Sequence, residues 1–84
     1  MYEILIEKAA ERDLKKLSAA DFERIIPHLN GLAEQARPAG SRKIGGSEHD
    51  WRIRVGTYRV IYEIDEKGKT VKILRVRHRR EVYR

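Results

Sequence analysis

Trp51-Arg52-Ile53-Arg54-Val55-Gly56-Thr57-Tyr58-Arg59-Val60-Ile61-Tyr62-Glu63-Ile64-Asp65 alternates apolar and polar side chains on both sides of a Gly-Thr pair. A period of two predicts strands, and the central pair predicts a two-residue hairpin turn. Trp51, Ile53 and Val55 then share one face of the first strand, as do Tyr58, Val60, Tyr62 and Ile64 on the second. The opposite face carries Arg52 and Arg54, about 7 Å apart, and the hairpin brings Arg59 close to Arg54. Only Glu63 on these strands could neutralise them. The face is either an ordinary solvated side of an antiparallel sheet or an electropositive patch that grips phosphate bidentately.

Downstream, Asp65 to Lys69 reads as a second turn. Thr70 to His78 is a third strand, dense enough in Val, Ile and Leu to be central. Upstream, Met1 to Glu7 alternates as a short first strand. From Lys8 the period changes: Ala10, Leu14 and Leu17 fall on one helical face. Ser18, with Asp21 three residues on, offers an N-cap for a second helix whose apolar positions run from Phe22 through Ile25, Ile26, Leu29, Leu32 and Ala33 to Ala36. Pro27 should kink that helix or delay its start. Arg37 to Ser41, holding Pro38 and Gly40, ends it, and the connector that follows includes Gly45-Gly46, which is no phosphate-loop signature. The expected fold is α+β in the order βααβββ, a two-helix hairpin on one face of a small, mainly antiparallel sheet. Residues 1–84 form a single domain with room for one site.

Composition narrows the function. The chain has no cysteine, so disulfides, thiol nucleophiles and thiolate metal ligands are excluded together. His28, His49 and His78 are too scattered for a zinc motif, and neither a metal nor another cofactor is expected. Charges interrupt every apolar run, which predicts no membrane span or secretion signal and a cytoplasmic location. The net charge of +6 lies wholly in the second half. Residues 1–42 hold seven Lys/Arg and seven Asp/Glu, whereas residues 43–84 hold twelve and six. A basic half beside a neutral one points to a polyanion, with nucleic acid first; the alternative is a generally soluble basic surface.

The terminal segment Arg77-His78-Arg79-Arg80-Glu81-Val82-Tyr83-Arg84 adds an imidazole and a phenol to this charge. Attack of a ribose 2′-OH on the adjacent phosphate needs a base, cations for the growing phosphorane charge, and an acid for the 5′-oxygen. Histidine is the side chain that ordinarily exchanges protons near neutrality, so His78 is a candidate, against the plainer reading of a surface histidine in a frayed tail. His28, beside Pro27, and His49, in a polar loop, are weaker ones.

The hairpin from Trp51 to Glu63, the strand Val71 to Val76 and the ending His78-Arg79-Arg80-Glu81-Val82-Tyr83 together resemble the RelE/ParE toxin superfamily, specifically its RelE branch. The likeness spans nearly the whole chain, including Leu14 to Leu17, Arg37-Pro38 and Lys43 to Gly46. It implies a toxin of a type II toxin–antitoxin system. Such a toxin would be a ribosome-dependent, metal-free endoribonuclease that enters the ribosomal A site, cuts mRNA and is restrained by an acidic RelB-like antitoxin. It further implies Arg59, His78 and Tyr83 as catalytic residues, and Arg52, Arg54, Arg77, Arg79, Arg80 and Lys43 as contacts to RNA phosphate. The family's best-known member has lysines where this chain has Arg52 and Arg54. Arginine cannot serve as a general base, so these two are expected to stabilise charge while His78 moves protons and Tyr83 stacks or relays. The chain is also expected to lack the final helix that some relatives carry. Two rivals remain: a ParE-like inhibitor of DNA gyrase, needing neither His78 nor Tyr83, and a catalytically silent module that binds RNA or antitoxin.

Overall fold

The computed structural model describes residues 1–46 and 49–82, the last by its backbone alone. The alternating segments form strands as their period requires. Strand β1 (Glu3–Ile6) is followed by helices α1 (Lys8–Lys15) and α2 (Ala19–Gly31), then by β2 (Arg42–Lys43), β3 (Asp50–Val55), β4 (Tyr58–Asp65), β5 (Thr70–His78) and a single closing turn of helix, α3 (Arg79–Val82). The sheet order is β1-β5-β4-β3-β2. Only the β1–β5 pair is parallel. Strand β5 is thus an interior strand, flanked by β1 and β4, as its apolar content predicts.

The core lies between the helices and one face of the sheet. Ile25, Leu29, Leu32 and Ala36 pack with Ile53, Val55, Val60, Tyr62, Ile64, Val71, Ile73 and Val76, all buried. The Tyr62 hydroxyl finds its partner there, donating to the Ala36 carbonyl at 2.8 Å. Gly56 has φ +61°, with Thr57 outside the left-handed region, as a type II′ hairpin turn demands.

Several expectations need correction. Helix α2 starts at the Ser18 cap, whose Oγ accepts from the Asp21 N–H at 3.1 Å, and runs through Pro27 instead of beginning after it. It ends at Gly31, five residues short of Ala36. From Leu32 to Glu34 the amides donate three residues back, to Leu29, Asn30 and Gly31, so the chain tightens into turns while Leu32 and Ala36 stay in the core. The connector after Gly40 contributes β2, a fourth antiparallel-paired strand only two residues long. The basic tail, read without an element of its own, begins with the single helical turn α3. Strand β5 also has a bulge: Ile61 faces Arg75 while Tyr62 faces Ile73, leaving Leu74 as the extra residue.

Candidate active site

Residues in direct register across neighbouring strands share a face. Val60 faces Ile53 and Val76 on the helix side of the sheet. The alternate positions therefore point to the open side. There Arg54 faces Arg59 and Arg59 faces Arg77, one continuous row of three guanidinium groups across β3, β4 and β5. A second row begins with Arg42 opposite Arg52 and continues through Ile61 and Arg75. At the far end, Asp50 faces Glu63. The open face therefore runs from acidic to strongly basic along the strands.

Like charges in direct register destabilise a sheet, and the neighbours offset only part of this charge. Arg75 is taken by Asp13 of α1, with Nε at 2.8 Å and Nη2 at 3.1 Å. Arg77 lies only 3.6 Å from Glu81. Among the described residues Arg42, Arg52 and Arg54 form no ion pair. Arg59 is 7% exposed, and the Nε atoms of Arg59 and Arg77 are both shielded from water. A depression of about 410 Å³ opens over this face, lined by Gly40, Arg42, Arg52, Ile53, Arg54 and Arg59. A second, of about 130 Å³, is lined by Arg54, Gly56, Thr57, Tyr58, Arg59 and Arg79. The two share Arg54 and Arg59. Together they make a shallow positive track suited to an extended polyanion.

Arg52, Arg54, Arg59 and Arg77 are thus brought together, with Arg79 at one end. Lys43 is placed elsewhere: it faces Trp51, on the helix side. Arg42 takes the position that Lys43 was expected to fill. The sequence reading missed it because a two-residue strand is too short to show a period. Arg80 is exposed on α3. Tyr83 lies outside the described residues.

His78 is separated from the arginine row. It faces Tyr58, on the helix side, with the rings edge to face and their centroids 5.3 Å apart. Its Nδ1 accepts from the Arg80 N–H at 3.2 Å. Burial holds the Tyr58 phenol above its ordinary pKa, reinforced by the charge and hydrogen bond of Asp21 and by Glu81. Among the described residues no group of three or more His, Cys, Asp or Glu side chains lies close enough to hold a metal ion. None of the described helices is long and apolar enough to cross a membrane.

Residues 4–83 match the family model described as "ParE toxin of type II toxin-antitoxin system, parDE". The chain is 34% identical over 87 residues to Toxin RelG of Mycobacterium tuberculosis, an alignment covering 99% of this chain and 97% of that protein. The toxin in the archaeal RelE–RelB complex from Pyrococcus horikoshii superimposes with a TM-score of 0.82 at 30% identity, over 93% and 94% of the two chains. The isolated RelE toxin of E. coli superimposes equally well, TM-score 0.82 over 99% and 92% of the chains, at 23% identity, a likeness of fold.

Proposed function

We propose that this chain, which belongs to the RelE/ParE superfamily of type II toxin–antitoxin toxins, is a ribosome-dependent endoribonuclease that cleaves mRNA. The observation that carries the proposal is the row Arg54–Arg59–Arg77, whose Arg54 and Arg59 line an open depression with Arg52. Three cations in direct register concentrate positive charge on one face, and guanidinium groups grip phosphate bidentately. In the reaction the ribose 2′-oxygen bonds to phosphorus, its proton leaves to a base, and the bond from phosphorus to the 5′-oxygen breaks as that oxygen gains a proton. The guanidinium groups hold the phosphate and offset the charge that builds on its oxygens, the larger share of catalysis in such sites. They supply the positive charge that other nucleases draw from metal ions. Tyr83 is the stacking or proton-relay group of this reading.

The natural partner is an acidic antitoxin, as the RelE–RelB complex of the Pyrococcus horikoshii relative suggests. A segment rich in Asp and Glu would occupy the same arginine face as RNA and exclude it. A second reading, a ParE-like inhibitor of DNA gyrase, is favoured by the description of the matching family model. Primer extension on mRNA from a reconstituted translation reaction separates the two. New 5′ ends that recur at one position within codons, and only when ribosomes are present, are the expected result. Growth arrest without such ends, with supercoiling lost in a gyrase assay, would replace the nuclease reading with the second.

A further inference from the structure

His78 stands where β5 passes into α3, and its ring is already engaged there. The first amide of α3, Arg79 N–H, donates to the Thr57 carbonyl at 2.7 Å, and the second, Arg80 N–H, donates to His78 Nδ1 at 3.2 Å. A side-chain acceptor on the residue before a helix, receiving an amide of its first turn, is an N-cap. The Tyr58 ring, standing at 87° to the imidazole, fixes it from the β4 side. From this geometry we infer that His78 is a positioning residue: its neutral imidazole caps α3 and so holds Arg79 in the wall of the second depression. On this inference His78 does not carry a proton in the reaction. The inference rests on the RNA-cleaving reading above.

Two features support it. The row of arginines that would meet phosphate projects from the open face, whereas His78 lies on the helix-side register with Tyr58. Moreover, an Nδ1 that accepts a hydrogen bond has no proton, so the ring's proton is on Nε2.

The test compares wild type with His78→Asn and His78→Ala. Asparagine caps helices as well as any residue but cannot serve as a proton carrier. Cleavage by His78→Asn is expected within about threefold of wild type. In His78→Ala, KM should rise about fivefold, the equivalent of one lost cap, with kcat nearly unchanged. If asparagine and alanine both instead lower kcat by about 10²-fold or more, His78 is a proton carrier and the inference is overturned. Nitrogen-15 shifts of the His78 ring provide a reading independent of cleavage. Unprotonated Nδ1 at pH 8 is expected; a proton on Nδ1 at pH 8 would overturn the cap. Failure of wild type to cleave at all would remove the nuclease reading and leave the cap to be judged by the ring nitrogens.

Discussion

Arg59 occupies the middle of a row of like charges at 7% exposure. Arg59→Met should lower cleavage by about 10²-fold or more. The primer-extension assay checks the loss, with a thermal melt showing that the variant is folded. Asp13 neutralises Arg75, in the second row, and also accepts from the Val76 N–H at 2.9 Å. Burial pushes the Asp13 carboxyl up, but the hydrogen bonds from Arg75 and Val76 and the charges of Arg75 and Arg77 outweigh it and hold the group below 3.8. Its folded pKa is thus lower than its unfolded one. The stabilisation is fully present above that ordinary value and is lost as pH falls through the lowered one. Asp13→Asn should cost about 1–3 kcal/mol near neutrality and flatten the decline in stability below about pH 4, as denaturant titrations at several pH values would show. Arg52, Arg54 and Arg59 were legible because a period of two fixes which residues share a face. Asp13 was not, because its partner is 62 residues away and helical spacing gives no register against a strand.

At the scale of elements, local signals were reliable where they satisfied backbone groups and weaker where packing decided. The Ser18 cap forms as read, so Ser18→Ala should lower stability by about 1 kcal/mol. Pro27 is the contrary case: it is exposed, within an unbroken helix, and denies one carbonyl its partner. Core contacts of Ile25 and Leu29 on either side hold the helix together across it. Pro27→Ala should consequently stabilise the protein by about 1–3 kcal/mol, less what the freer unfolded chain recovers, measurable as a higher denaturation midpoint with the slope unchanged. Strand β2 and helix α3 were not legible. Each is too short for periodicity, and each is defined by partners: β2 by pairing with β3, α3 by the Thr57 carbonyl and the His78 ring. These elements bring Arg42 and Arg79 to the site, and Lys43 away from it.

Across the whole molecule, the charge asymmetry of the sequence becomes a spatial one. The neutral first half supplies helices α1 and α2 and much of the core, and the basic second half supplies most of the sheet face that they leave uncovered. A polyanion held there by four arginines should bind with a strong dependence on salt. Four contacts to single-stranded RNA, each worth about −0.7, give a slope of log K against log salt near −3, and fluorescence anisotropy with a short labelled RNA would record it. The most direct test of the account compares single-turnover mRNA cleavage on ribosomes by Arg52→Ala, Arg54→Ala, Arg59→Ala and Arg77→Ala with cleavage by Lys43→Ala, whose side chain lies on the helix side of the same sheet. The account predicts losses of about 10²-fold or more for the central arginines, with Lys43→Ala within about threefold of wild type. Equal losses from both faces, or full activity without Arg59, would contradict it.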